Sequence, residues 1–279
     1  MTVSPLISVA ELADHLEDPD WRVVDCRHNL AAPEAGEAAY QENHIPGAVF
    51  MHMDRDLSGP KTGHNGRHPL PEVVLLVRRL EMLGIGNQTR VVAYDDCGGM
   101  MAARLWWLLG WLGHGAVSVL DGGFPAWVGA GQPVDGAAPQ PRLGHFTARV
   151  QPWVVLASKV LAGLGHPGRL ILDARAPDRF HGENETMDPV GGHIPGARNR
   201  FFRNNLTPEG QFKPAHELQR EFLEILGSLS PEQVIHQCGS GVSACHNVLA
   251  MEVAGLPGSK LYAGSWSEWC SDPARPVEK

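Results

Sequence analysis

Of the five cysteines in the chain, Cys238 stands where a thiol could do chemistry. It follows the strand-like run Val234-Ile235-His236-Gln237 and opens the loop Cys238-Gly239-Ser240-Gly241-Val242-Ser243-Ala244; a helix is expected from about Val242 to Ala254, closed by Gly255. A strand end, a glycine-containing loop and a helix N-terminus gather backbone N–H groups around one point, where the helix adds roughly half a positive charge. Such a cradle favours a thiolate, which makes Cys238 the candidate nucleophile and Gly239, Gly241, Val242 and Ser243 its lining. The same arrangement serves enzymes that clamp tetrahedral oxyanions, but those need an arginine where this chain has Ala244, and no Lys or Arg lies between Cys238 and Cys245. An uncharged cradle suits an added sulfur atom, carried as a persulfide. Cys26 and Cys97 read as inert, buried strand-end cysteines. An odd number of cysteines without CxxC pairs suggests neither a disulfide framework nor a zinc site, so no metal or organic cofactor is expected.

The elements that position this loop occur twice. Trp21-Arg22-Val23-Val24-Asp25-Cys26-Arg27 answers to Arg169-Leu170-Ile171-Leu172-Asp173-Ala174-Arg175, each a buried strand running into Asp-x-Arg. His44-Ile45-Pro46-Gly47-Ala48 answers to His193-Ile194-Pro195-Gly196-Ala197, where Pro and Gly mark a turn. Arg90-Val91-Val92-Ala93-Tyr94-Asp95 aligns with Gln233 to Cys238, and a helix from Met101 to Leu112, closed by Gly113, follows the first copy. The last matches are Val119-Leu120-Asp121-Gly122-Gly123 with Leu261-Tyr262-Ala263-Gly264-Ser265, then Trp127 with Trp269. Strands alternating with helices predict an α/β fold: two tandem domains, each a parallel sheet with helices on both faces. The expected bounds are 1–136 for the first domain, 137–165 for a linker and 166–279 for the second. Asp95 stands where Cys238 stands in the second copy, so catalysis is expected in the C-terminal domain only.

With 43% hydrophobic and 19% charged residues, the chain has the composition of a globular protein. A net charge of -8 argues against nucleic acid or membrane partners and leaves small molecules. The stretch Met1 to Ser8 has neither a basic nor a continuous apolar region, which gives a cytoplasmic reading.

The two Asp-x-Arg strands, the two His-Ile-Pro-Gly-Ala turns, the Cys238 loop and the terminal Leu261-Tyr-Ala-Gly-Ser-Trp-Ser-Glu-Trp269 together resemble the tandem rhodanese family of thiosulfate and 3-mercaptopyruvate sulfurtransferases. The resemblance covers nearly the whole chain. It implies two rhodanese-like domains, the first inactive, and a persulfide on the cysteine of the second. Loops beginning Cys-Gly-Ser-Gly resemble the mercaptopyruvate enzymes, whereas cationic loops resemble the thiosulfate enzymes. The implied reaction moves sulfur from 3-mercaptopyruvate to a thiol or cyanide, with a thioredoxin-like reductant among the acceptors. The alternatives are thiosulfate as donor by the same persulfide, a non-catalytic protein-to-protein sulfur carrier, and a redox sensor using Cys238 and Cys245.

Residue by residue, Arg179 matches the family's substrate-binding arginine, and Arg175 its structural arginine, with Arg27 as counterpart. Ser240 matches the loop serine, while Asp54 and His68, from the first domain in sequence order, match positions of a polar relay that would place the site between domains. Two positions depart from the pattern. Asp188 stands where mercaptopyruvate members have a second substrate arginine, so Arg67 or Arg198 would have to replace it or the donor preference has shifted. Ala263 stands where many relatives have Asp, which is expected to affect the turn rather than the chemistry.

Overall fold

The computed structural model describes residues 3–279; Met1 and Thr2, the start of the segment read for a targeting signal, lie outside them. The chain forms two compact units, Met1–Gly59 with Pro71–Gln151 and Pro208–Phe212, and Pro60–Leu70 with Pro152–Thr207 and Lys213–Lys279. No helix among the described residues is long and apolar enough to cross a membrane.

In the first unit β1 (Leu6–Ile7), β2 (Trp21–Asp25), β3 (Val49–Phe50), β4 (Arg90–Tyr94) and β5 (Val117–Leu120) form a parallel sheet in the order β1-β5-β4-β2-β3. Its central strands are aliphatic runs because both faces are covered. Val23, Val92 and Tyr94 pack with Ile7, Leu12, Ile45, Leu120 and Trp127 in one core cluster. The predicted helix spans Ala102–Trp111, and Leu105, Trp107, Leu108 and Leu109 on it are fully buried.

In the second unit β6 (Leu170–Asp173), β7 (Arg198–Asn199), β8 (Val234–Gln237) and β9 (Lys260–Leu261) form a parallel sheet in the order β7-β6-β8-β9. Ile171, Ile235, Ile194, Tyr262, Trp266 and Trp269 pack with Val160 in the corresponding core. The helix behind the cysteine loop spans Ser243–Val253. Gly113 (φ 83°) and Gly255 (φ 72°) follow the two helices in the left-handed conformation that sequence assigned to their C-caps.

The stretch 137–165, expected to be a linker, is divided between the units. Up to Gln151 it lies along the first, where Gly144 donates to Glu81 O (2.8 Å) and Thr147 to Asn87 Oδ1 (2.7 Å). From Pro152 it opens the second: Val155 donates to Leu261 O (2.8 Å) and Leu261 to Trp153 O (2.9 Å). Pro5 and Ile7 accept from Val119 and Asp121 (both 2.9 Å) beside β5 in the same way. The repeat thus begins one edge segment earlier than the Asp-x-Arg strands, and such a short segment carries too little pattern to be recognised in sequence.

His236, inside β8, is fully buried with Nε2 3.2 Å from Met251 Sδ. Burial pushes its imidazole from 6.5 down to about 3. A depressed folded value means that the unfolded chain binds the proton first. The stabilising contribution is therefore complete above pH 6.5 and is lost as pH falls towards 3. Denaturant unfolding of wild type and His236→Leu tests this: from about pH 7 to about pH 4, wild type should lose on the order of 3 kcal/mol relative to the variant. Parallel pH profiles would show that the ring is not held neutral.

Candidate active site

Each Asp-x-Arg corner is an internal ion pair that fixes a strand end. Arg175 donates from Nε and Nη2 to Asp173, at 2.7 Å for Nη2–Oδ2, and from Nη2 to Gly192 O (2.8 Å) just before the His193 turn. Arg27 does the same with Asp25 and with Asn43 O just before the His44 turn. Each guanidinium also stacks on an aromatic ring, Trp266 at 4.8 Å and Phe124 at 4.3 Å. Gly47 (φ 74°) and Gly196 (φ 75°) give the two turns their left-handed residue. These arginines are structural, as the resemblance implied.

β8 delivers Cys238 to the C-terminal edge of its sheet, where the residue is 2% exposed. Its Sγ accepts the Gly241 N–H at 3.1 Å. Gly241 takes φ 80°, and a Cβ there would meet Ala263 O at 2.2 Å, so only glycine fits the turn that aims this N–H at sulfur. Val242 occupies the N-cap position of the helix Ser243–Val253, and no side chain caps that helix end. The cysteine backbone is gripped from the last repeat segment: Cys238 N–H donates to Ser265 Oγ (3.1 Å), and Cys238 O accepts from Trp266 N–H (3.0 Å). Ser265 holds φ 55°, an uncommon conformation for a residue with a side chain, and also donates to Tyr262 O (2.9 Å). Its counterpart Gly123 has φ 58°. Ser265 was not singled out in sequence, although a serine in a position glycine fills in the other copy was a usable signal.

Tertiary packing corrects one sequence expectation. Arg67 and His68, assigned to the first domain by sequence order, fold with the second unit in the segment Pro60–Leu70. Arg67 N–H donates to Ser267 Oγ (3.0 Å), and Gly66 (φ 86°) lies so close to Gly264 O that a Cβ would sit 2.7 Å from it. His68 is buried, with Nδ1 2.7 Å from Ser240 Oγ.

The loop contains no cation, but two arginines reach over it. A Cβ built on Gly239 would lie 2.8 Å from Arg67 Nη2 and 3.5 Å from Arg179 Nη2. Both guanidiniums have carboxylate partners. Arg179 donates to Glu185 from Nε (3.1 Å) and Nη2 (2.9 Å), and its Nη2 lies 3.4 Å from Asp188 Oδ2. Arg67 Nη1 donates to Asp188 Oδ1. Asp178 Oδ1 accepts from the Arg179 amide N–H (2.8 Å). Arg198, exposed on β7, donates to Ile225 O (2.8 Å), so Arg67, not Arg198, is the second arginine beside the cysteine loop. Burial raises the Asp188 carboxyl above its ordinary range against the pull of Arg67. At Glu185 burial also acts upward, but the Met187 amide and Arg179 outweigh it and hold the carboxyl low.

In the first unit Asp95 follows β4, and its carbonyl accepts from Phe124 N–H (2.8 Å), as Cys238 O accepts from Trp266 N–H. Its carboxylate fills the amide cradle: Oδ1 accepts from Cys97 (2.9 Å) and Gly99 (2.8 Å), Oδ2 from Met101 (2.7 Å) and Ala102 (2.9 Å). The fold thus offers an anion site at this corner, and in the first unit the chain supplies the anion itself. Burial, with Asp95 and Asp96 nearby, pushes the Cys97 thiol far up, although the residue is half-buried in the loop beyond Tyr94 and not at a buried strand end.

Asp54 belongs to the first unit, where its N–H donates to His52 Nδ1 (3.1 Å) and its Oδ2 lies 3.9 Å from His28 Nε2. His28, His52 and Asp54 offer ligand atoms within 4.8 Å of one another. Because His52 Nδ1 accepts the amide hydrogens of both Asp54 and Arg55, the ring proton sits on Nε2, which makes that nitrogen a poor metal ligand.

Comparison with known proteins shows the family. The Rhodanese-like domain matches twice, over residues 8–130 and 156–272. A Pseudomonas aeruginosa protein named "probable 3-mercaptopyruvate sulfurtransferase" is 46% identical over 99% of both chains. The rat thiosulfate sulfurtransferase is 35% identical over 95% of this chain and 91% of its own. The solved 3-mercaptopyruvate sulfurtransferase from Leishmania major superposes with a TM-score of 0.84 at 31% identity, covering 95% of this chain and 73% of the other. The chain belongs to the rhodanese family, as a tandem-domain sulfurtransferase.

Proposed function

We propose that this sulfurtransferase takes sulfur from 3-mercaptopyruvate onto Cys238 as a persulfide, releases pyruvate and passes the sulfur to a thiol or to cyanide. The observation that carries the donor is the buried Ser240 Oγ–His68 Nδ1 hydrogen bond of 2.7 Å, two residues from the nucleophile. The Cys238 thiolate attacks the donor sulfur, an S–S bond forms, and the C–S bond breaks with its electron pair passing to the enolate of pyruvate. The donor's thiol proton ends on the methyl carbon, with the Ser240–His68 pair as its carrier, so the products are a persulfide anion and pyruvate. Thiosulfate would release sulfite, which needs no such proton. Arg179 and Arg67 would hold the donor carboxylate over Gly239, and the Gly241 N–H would stabilise the persulfide. Attack by cyanide on the outer sulfur returns the Cys238 thiolate and gives thiocyanate; a thiol acceptor, such as a thioredoxin-like protein, takes the sulfur in the same way.

The thiosulfate reading also has an observation in its favour, the two guanidiniums beside the loop. Steady-state kinetics with both donors on wild type and Ser240→Ala separate the two. Wild type should favour mercaptopyruvate, and the variant should lose about 10²-fold in kcat with mercaptopyruvate while thiosulfate turnover falls far less. Equal losses with both donors would remove the proton-carrier role.

A further inference from the structure

Six charged side chains beside Cys238 form one alternating ladder. Asp173 pairs with Arg175 (2.7 Å), Arg175 with Glu185 (3.5 Å), Glu185 with Arg179 (2.9 Å), Arg179 with Asp188 (3.4 Å), and Asp188 with Arg67. Three guanidiniums face three carboxylates, so the ladder carries no net formal charge. Its carboxylates and its outer guanidiniums differ in access. Glu185 and Asp188 have side chains only 3% exposed, whereas Arg179 and Arg67 keep 22% and 24% and turn an edge towards Gly239. A donor arriving at Cys238 therefore meets two guanidinium edges whose charge is already balanced from behind.

We propose that Asp188 is the specificity-determining residue for donor charge. It pins Arg67 and Arg179 in place and cancels one of their charges, so that the site accepts one carboxylate and disfavours a dianion. This deepens the mercaptopyruvate reading and rests on it. The donor brings hydrogen-bond acceptors for both guanidiniums and a single negative charge. Thiosulfate brings a second negative charge to a ladder that has no net positive charge to offset it. A neutral side chain at 188 leaves the ladder with one uncompensated positive charge beside the cysteine loop. That charge is felt twice as strongly by a dianion as by a monoanion.

The test is the ratio of kcat/KM for thiosulfate to kcat/KM for 3-mercaptopyruvate in wild type, Asp188→Asn and Asp188→Ser. Both donors are read on the same preparation, so the ratio is independent of how much of a variant is folded. Asparagine keeps an acceptor for Arg67 and nearly the same shape; serine removes the bulk as well. The ratio is expected to rise about tenfold in both variants, mainly through the thiosulfate KM, and the gain should shrink as ionic strength rises. A ratio within about twofold of wild type in both variants, or proportional losses with both donors, would reduce Asp188 to a structural partner of Arg67. If wild type instead prefers thiosulfate while the ratio still rises in the variants, the donor assignment falls and the charge role of Asp188 stands.

Discussion

Replacing Cys238 by serine leaves a folded protein in which sulfur transfer falls by about 10⁵-fold with either donor. The substitution changes one atom at a position 2% exposed, and every backbone bond that shapes the loop remains, including those from Ser265 and Trp266. A hydroxyl in the same cradle is a poor nucleophile towards sulfur, and Cys245, whose Sγ donates to Gly241 O (3.3 Å), lies within the helix Ser243–Val253. The result is read as pyruvate release together with a thermal melt. Residual turnover above about one per cent of wild type, with an unchanged melt, would place the nucleophile elsewhere.

Removing the Arg179 guanidinium has the next largest effect. Arg179→Ala takes away the cation whose Nη2 lies 3.5 Å from where a Cβ on Gly239 would sit, and leaves Glu185, buried at 3% exposure, with Arg175 at 3.5 Å as its remaining guanidinium partner. Loss of a charge-assisted, two-point contact with a donor carboxylate lowers kcat/KM for mercaptopyruvate about 10²- to 10³-fold, chiefly in KM. Stability falls by about 2 kcal/mol because a buried carboxylate loses its main partner. Arg179→Lys keeps the charge but not the planar fork, and should recover part of the affinity. Initial rates over a range of donor concentration decide the matter. An unaltered KM in the alanine variant would show that the donor does not reach this arginine.

The parts of the protein that sequence reveals are those fixed by neighbours along the chain. Asp-x-Arg closes on itself through a two-residue ion pair, His-Ile-Pro-Gly-Ala is a turn determined by Pro and Gly, and the helices Ala102–Trp111 and Ser243–Val253 carry their own stop signals. These motifs recur in both halves, so the repeat, the sheets and the corner that holds Cys238 are legible. The Asp95 counterpart of Cys238 is legible for the same reason, though not that its carboxylate would accept four amide hydrogens. The ends of the repeat were less visible. Trp127 Nε1 donates to Pro133 O and Trp269 Nε1 to Pro276 O, both at 2.8 Å, and His44 and His193 pair with Asp135 and Glu278. The signal was present in Gln132-Pro-Val-Asp135 and Arg275-Pro-Val-Glu278, but four residues are too few to stand out unaided.

What sequence order hides is the long-range assembly over Gly239. The loop by itself is an electrically neutral cradle, whereas folding brings Arg67 across the chain together with Arg179. Asp188 read as a lost arginine; it is a carboxylate that organises the two arginines present. Glu185 gave no signal because one acid among Glu183, Glu185 and Asp188 in a loop with Gly and Pro looks like any solvated residue, and burial against Arg179 and Arg175 distinguishes it.

In the proposed reaction the transferred sulfur travels on Cys238 Sγ. Mass spectrometry of the intact protein and of its Cys238 peptide, after brief treatment with 3-mercaptopyruvate and before any acceptor is added, tests it directly. The expected result is a gain of one sulfur atom localised to Cys238, discharged by cyanide and absent in Cys238→Ser. An unmodified Cys238 in protein that has released pyruvate, or the added sulfur on any other cysteine, would contradict the account.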